Sequence, residues 1–498
     1  MISVLVSNGH PLFSRNSKVL NNEKFPSLVH LSSISCSQKH KQLFRNPTLK
    51  CSKSEIASTK EERNGGRVEM MVLCGFGYWI QGFRLFPWLA LNFHMAHGMK
   101  MNPSTLQFVQ NSGNLPFVAK PLYGILSDAL YIGGAHRLPY ISIGAFLQAL
   151  AWGQLALVSA ASEGFVGLIA CVLLSNLGAS ITEVAKDALV AEYGQQNRIP
   201  GLQSYAFMAS AAGGILANSL GGYILLKTKQ PKLMFLFFSA LLAVQLVLSL
   251  AVREKTLGLP QPLKYAPGLT IREQSIARSI KKQYLDLMVC IREERIYHPL
   301  MWFVASTLIV PVLSGSVFCY QTQCLNLNPS TIGMSKVTGQ LVLLSITVLY
   351  DRVWKDTPIK KLSSIIQILY AVSLLLDFML VKQINLKMGI SSEAFVLCFS
   401  GIAEVIATFK LLPFSILFAR LAPLGCEGSL LSFLASAFYF SSIVSGYLGV
   451  GLASFLGITS GDYSSLPVGI IIQFMAALVP LGLLNFLPNS QSSTEKER

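Results

Sequence analysis

The chain has 498 residues, 52% of them hydrophobic and only 13% charged, with a mean hydropathy of +0.51. A soluble globular protein carries about 25% charged residues, so this composition excludes an ordinary water-soluble enzyme or binding module. The net charge of +16 is no nucleic-acid signature either: residues 1–60 hold nine basic residues against two acidic ones, and no basic stripe interleaved with aromatics follows them.

Taken in chain order, residues 1–60 are rich in serine and basic residues, nearly free of acids, and lack the apolar core of a signal peptide. That is the composition of an organellar transit peptide, with a polar cytosolic tail as the alternative. Leu49-Lys50-Cys51-Ser52 resembles a stromal-processing site, which favours a plastid. Asn46, Asn102 and Asn328 each precede a proline that blocks glycosylation, which disfavours the secretory route.

A membrane-crossing helix needs about 20 largely apolar residues. Twelve windows qualify: 71–92, 105–127, 138–159, 165–190, 201–226, 233–252, 299–321, 331–349, 362–381, 394–418, 428–456 and 466–487, referred to below as spans 1 to 12. The expected fold is an all-α membrane protein with 12 transmembrane helices in two halves. A six-helix half at 70–252 and another at 298–487 flank a polar linker at 253–297, with a tail at 488–498. Part of the linker, 275–291, reads equally as a cationic surface helix or as a solvated connection. Small residues every four positions in span 5, namely Gly213, Ala217 and Gly221 with Gly214 and Gly222 beside them, read as helix packing.

Basic residues place the loops. Those after spans 2, 4, 6, 8 and 10 carry Arg137, Arg198, the linker cluster, Arg352, Lys355, Lys360, Lys361 and Arg420, while the opposite loops carry Lys100, Lys227, Lys229, Lys232, Lys336, Lys382 and Lys387. The N-terminus, linker and C-terminal tail therefore share the less-translocated face, which in a plastid envelope is the stroma.

The halves repeat a hairpin. Asp128 is followed nine residues later by Arg137, and Asp351, 223 positions on, is followed nine residues later by Lys360. An acid at one helix end and a base at the start of the next can latch neighbouring helices in one gating state. Duplicated halves of this kind fit the plan of secondary transporters.

Pro116-x-x-x-Lys120-Pro121-Leu122-Tyr123-Gly124-x-x-x-Asp128, followed by Arg137-x-Pro139-Tyr140, resembles the signature of the folate-biopterin transporter family within the major facilitator superfamily. The likeness continues in Glu183-x-x-x-Asp187-Ala188-x-Val190-x-Glu192 and in Pro423-x-Gly425-x-Glu427-Gly428. With the leader, it is most similar to the plant plastidial branch. The resemblance implies the superfamily fold and movement of a folate, pterin or related organic anion by alternating access. Two departures bear on the cargo: His136-Arg137-Leu138 leaves one firm cation before Pro139-Tyr140, and Lys186 stands where many members carry an uncharged residue.

An ionisable side chain at the bilayer centre costs about 2.5–3.5 kcal/mol on insertion scales and is a functional candidate by default. The set is Arg84, Glu183, Lys186, Asp187, Asp377, Glu404 and Lys410. In the superfamily plan spans 1, 4, 7 and 10 line the central cavity, and most of the set falls on them. Glu183 and Asp187, one turn apart, suit either a proton carrier or a salt-bridge network with Lys186. Arg84 and Lys410 suit either the carboxylates of an anionic cargo or pairing with Glu183, Asp187 or Glu404. Trp79, Trp88 and Tyr320 offer stacking surfaces for a pterin ring but read more readily as core.

No cofactor or metal site is indicated: the nine cysteines are scattered without a Cys-x-x-Cys pair, and His94 and His97 stand without further ligands nearby. The expected function is a secondary active transporter in the plastid envelope, with the inner membrane favoured for a helical carrier, whose partners are a small-molecule anion, protons and the lipid bilayer. The same fold carrying another organic anion or a nucleoside-like solute is the alternative, as is a non-transporting receptor or scaffold. An enzyme is disfavoured, since no nucleophile-base pair or phosphate loop is present.

Overall fold

The computed structural model describes residues 53–487 except 136, 159–161, 163, 198–201, 253–280, 283, 286, 355–356 and 422–426; of 53–66, 128–129, 194–197, 203–204, 351, 419–420 and 427–429 it describes the backbone alone. The expected leader up to residue 52, the first part of the linker and the tail from 488 lie outside the described residues. Within them every named element is a helix, and extended backbone pairs only at two isolated bridges, Ile132 with Ala135 and Thr459 with Asp462.

Nine helices among the described residues are long and apolar enough to cross a membrane, and they coincide with spans 3 to 6 and 8 to 12. Spans 1, 2 and 7 are helical but interrupted, in each case at proline. Span 1 runs as Lys53–Phe83 and Leu85–Phe93, parted at Arg84. Pro87 has no N–H to offer, and its ring displaces the carbonyl of Phe83 one turn earlier. Span 2 is in three pieces, Pro103–Gly113, Leu115–Val118 and Lys120–Ala129. Pro116 and Pro121 each stand in the first turn of a new piece, where a missing donor does no harm, and each stops the piece before it.

Span 7 breaks between Glu294–Leu308 and Ser314–Cys319, at Pro311. In a bilayer the freed backbone groups must find partners within the protein. Ser445 of span 11 donates through its hydroxyl to the Val310 carbonyl and accepts the Val312 N–H at 3.2 Å. Gln107 of span 2 supplies the rest: its Nε2 donates to Val312 O at 2.5 Å and Gly446 O at 2.9 Å, and its Oε1 accepts from Gly315 N at 3.0 Å.

Spans 3, 4 and 6 pack closely in the first half, where Trp152 meets Phe235 and Phe238. In the second half Trp302 lies parallel to Phe414, ring centroids 5.6 Å apart. Apolar side chains left exposed, such as Val247 and Leu250 on span 6, face the lipid. The halves meet where span 2 packs on spans 7 and 11 and where span 5 packs on span 8. Span 5 carries glycine on two faces: a Cβ on Gly213 would enter the backbone of Trp79 in span 1, and one on Gly222 would lie 2.9 Å from the Pro329 carbonyl of span 8. The stripe is packing, and it serves one neighbour in each half.

Hydrogen bonds between the halves gather towards the face opposite the linker. Besides those of Gln107, Gln323 Nε2 donates to Ala96 O at 3.1 Å, Ser460 Oγ to Met101 O at 3.3 Å, and Ser112 Oγ lies 3.0 Å from Tyr447 Oη. Lys336, counted from sequence among the loop cations, is instead inside the helix Pro329–Leu349, as its place within the window 331–349 already implied.

Candidate functional site

The kink in span 1, the third piece of span 2 and the middle of span 4 converge on one group of charges. Lys120 opens the Lys120–Ala129 piece, so Pro121 behind it fixes the direction in which it leaves the helix. Its Nζ lies 2.6 Å from Glu183 Oε2, with both side chains only 10% exposed. Glu183 Oε1 accepts from Gln81 Nε2. Gln81 Oε1 in turn accepts from Lys186 Nζ at 3.0 Å, and Lys186 also donates to the Gly77 carbonyl at 2.7 Å. Tyr78 completes the network: its hydroxyl donates to Asp187 Oδ1 at 2.5 Å, while Lys186 Nζ stands 4.9 Å from its ring centroid. Glu183 and Asp187 thus share a helix face but take different partners, one a cation and the other a phenol.

Next to this network lies an aromatic stack that joins the halves. Phe117 of span 2 and Tyr439 of span 11 are nearly parallel, 18° apart in plane and 4.8 Å between centroids. Lys120 Nζ lies 5.3 Å from the first ring and 5.2 Å from the second. Arg84, half-buried at the break in span 1, holds its guanidinium carbon 5.0 Å from the Phe117 centroid. Among the described residues Arg84 forms no salt bridge, although Glu183 lies in its field, whereas Lys120 beside it is paired directly with Glu183. The place therefore offers a positive fork, a flat aromatic surface and a balanced ion pair.

The other predicted residues lie apart from this group. Arg137 is buried and binds Glu192 with Nε at 3.2 Å and with Nη2, and Ser127 Oγ with Nη1 at 2.6 Å. The side chains of Asp128, Asp351 and Glu427, and with them the hairpin latch, lie outside the described residues. Lys360 Nζ is 3.3 Å from Asn485 Oδ1. Pro121 and Gly124 shape the third piece of span 2, where Gly124 lies beside Val184 of span 4. Glu404 pairs with Lys336 at a site where its side chain is 69% exposed. Lys410 is buried among Ser306, Gln367 and Tyr370 of spans 7 and 9, away from Glu404's ion pair.

Several participants carried no mark in the sequence. Phe117 and Tyr439 are two aromatics among many, and Tyr78 is one tyrosine in an apolar span. Gln81 was the more legible, as an amide inside a crossing helix one turn before Arg84. Trp79 and Trp88 prove to be core, stacked on Phe83 and edge-on to Trp152, and Tyr320 donates its hydroxyl to Val381 O at 3.2 Å. His94 Nε2 lies 2.8 Å from Ser162 O and His97 stacks on Phe93.

Residues 81–498 match the model of the BT1 family. The chain belongs to the BT1 family. The chain is 58% identical over 443 residues to "Probable folate-biopterin transporter 9, chloroplastic" of Arabidopsis thaliana, covering 89% of this chain and 81% of that one. It is also 58% identical to "Probable folate-biopterin transporter 8, chloroplastic" of the same plant, covering 89% and 80%. Among solved structures, a D-xylose-proton symporter superposes with a TM-score of 0.60 at 15% identity, covering 85% of this chain and 98% of that one. This BT1 protein is accordingly a membrane transporter with the major facilitator fold and not an enzyme. The family read from the Lys120-Pro121-Leu122-Tyr123-Gly124 run is the family that the comparison gives.

Proposed function

We propose that the protein is a secondary carrier moving a folate, a pterin or a related organic anion across the plastid envelope by alternating access. The observation that carries this reading is Arg84, a guanidinium that forms no salt bridge among the described residues, set over Phe117 next to the Phe117–Tyr439 stack. An Arg fork binds a carboxylate with two parallel hydrogen bonds. A pterin ring is flat and stacks on aromatic faces. Phe117 belongs to the first half and Tyr439 to the second, so a ring-shaped cargo takes the place of one aromatic against the other as the halves part.

Further support comes from the relatives' names, which specify folate and biopterin, and from the gathering of inter-half hydrogen bonds at one face, which fits a carrier closed on that side. Glu183 and Asp187, each hydrogen-bonded within the membrane, are the carboxylates on which proton coupling would act. We assign residues 1–60 to a transit peptide, residues 253–297 to the linker, and the linker face to the stroma. The interrupted spans 1, 2 and 7 complete twelve crossings.

The test is uptake into proteoliposomes of labelled 5-formyltetrahydrofolate against unrelated organic anions and nucleosides, with and without a pH gradient. Uptake that prefers the folate and follows the gradient supports the reading. Preference for another solute reassigns the cargo, indifference to the gradient removes proton coupling, and no uptake of any solute removes the carrier function.

A further inference from the structure

The two halves repeat more than their hairpins. Lys186 of span 4 and Lys410 of span 10 stand 224 positions apart and occupy the same kind of cage. Lys186 Nζ donates to a backbone carbonyl of span 1, Gly77 O, and to an amide oxygen, Gln81 Oε1, and lies against the ring of Tyr78. Lys410 Nζ donates to a backbone carbonyl of span 7, Ser306 O at 3.2 Å, to Ser306 Oγ at 3.2 Å, and to an amide oxygen, Gln367 Oε1 at 3.0 Å, and lies 5.3 Å from the ring of Tyr370. In each half a lysine ties one cavity helix to another.

The cages differ in what stands behind them. Around Lys186, Gln81 is bound to Glu183 and Tyr78 to Asp187, so negative charge lies one bond away on two sides. Around Lys410, Gln367 donates through its Nε2 to Ala477 O at 2.7 Å, and Ser306 donates its hydroxyl proton to Phe303 O at 2.8 Å. All three partners are therefore committed as acceptors. Three acceptors match the three donors of an ammonium group, whereas a neutral amine presents two donors and one lone pair.

No carboxylate among the described residues pairs with Lys410. Span 7 carries Glu294, Arg295, Tyr297 and His298 only at its start, remote from Ser306, and span 8 carries Lys336. Span 9 presents Tyr370 to Lys410, while its Asp377 lies in the field of Lys336, which also holds Glu404 of span 10. Span 11 between Leu430 and Phe455 contributes only the tyrosines 439 and 447, and span 12 contributes Gln473 and Ala477. A buried charge without a countercharge is unfavourable, because the lost hydration is not offset by an ion pair. Lys410 also occupies a joint: Gly401, at φ +87°, separates Ser392–Phe399 from Ile402–Phe409, and Pro413 follows the break between Ile402–Phe409 and Leu411–Leu421, where Lys410 stands.

We propose that Lys410 is a proton-operated clasp, closing span 10 onto spans 7 and 9 when protonated and releasing it when its proton passes to solvent. Lys186, whose cage is backed by Glu183 and Asp187, is its compensated structural counterpart. The clasp deepens the carrier reading above, on which its use in transport rests, but its operation is tested without any cargo.

The experiment is backbone hydrogen–deuterium exchange of the full chain in lipid nanodiscs, corrected for intrinsic exchange and followed from about pH 5.5 to about pH 9.5 over peptides from 299–309 and 402–418. Wild-type protein shows a stepwise loss of protection in both regions as pH rises. Gln367→Glu, which places a countercharge at the same hydrogen bond, moves that step upward by about one pH unit or more. Lys410→Met abolishes the step, and Lys186→Met retains it. Protection that is flat with pH in the wild type, or a Gln367→Glu step that does not move, overturns the proposal; the second variant decides should Lys410→Met not fold. A step that persists in a protein without uptake removes the carrier reading and leaves the clasp, whereas gradient-driven uptake without a step removes the clasp alone.

Discussion

Lys120 Nζ and Glu183 Oε2 form a 2.6 Å ion pair inside the membrane, joining span 2 to span 4 beside the Phe117–Tyr439 stack, which Lys120 also touches. Breaking a buried pair from one side strands the remaining charge, a loss of about 3–5 kcal/mol. Glu183→Gln and Lys120→Met are each expected to lower the unfolding temperature of the detergent-solubilised protein strongly. The double variant recovers most of the loss, because neither charge is left alone. Additive losses in the double variant would show that the two residues act independently.

Arg84 faces a different test, since it has no such partner to lose. Charge-assisted hydrogen bonds contribute about 1.5–3 kcal/mol each, so Arg84→Ala is expected to raise KM for an anionic cargo by about 10- to 100-fold. Arg84→Lys restores only part of this, because an ammonium lacks the two-pronged geometry. Folding, followed by thermal unfolding, should change little in either variant. An unchanged KM in folded Arg84→Ala protein would remove Arg84 from the binding site.

The stack of Phe117 on Tyr439 separates ring from hydroxyl. Tyr439→Phe keeps the face and should bind cargo normally, whereas Tyr439→Leu removes a stacking contact of about 0.5–1.5 kcal/mol and should weaken binding by about 2- to 12-fold. Equilibrium binding of labelled cargo to purified protein distinguishes the two. Equal losses in both variants would assign the role to the hydroxyl.

Gln107 fastens the closed face by serving three backbone groups at once. Gln107→Leu leaves the Val312 and Gly446 carbonyls and the Gly315 N–H without that partner, at about 1–3 kcal/mol for each group that stays buried. Hydrogen exchange over 93–103 and 324–329 should therefore quicken while exchange within span 3 does not. Exchange that is unaltered at both places would show that the seal rests on packing instead.

Much of this was open to reading along the chain. Runs of apolar residues marked the crossings, and Arg84, Lys120, Glu183, Lys186 and Asp187 stood out as charges inside them or, for Lys120, inside the family motif. Lys336 was misread because a charge was counted with the loops although the apolar window 331–349 already enclosed it, and in the helix it meets Glu404 of span 10. Phe117 and Tyr439 were not legible at all: nothing local distinguishes an aromatic that meets the other half from one that meets lipid.

By itself the sequence determined the class of protein, the positions of its long apolar helices, its family and which charged residues stand inside those helices. Those properties are local, following from hydropathy over one helix length and from motifs of a few residues. Only the tertiary structure decided that Lys120 pairs with Glu183, that Arg84 forms no salt bridge among the described residues, and that Lys410 is enclosed by neutral acceptors. Glu183 lies 63 positions from Lys120, and Lys410 lies 104 from Ser306, so their pairing depends on how the proline breaks in spans 1, 2, 7 and 10 turn each piece towards its neighbours. A charge chooses its partner by distance in space, over a few ångströms, and no pattern along the chain encodes that distance.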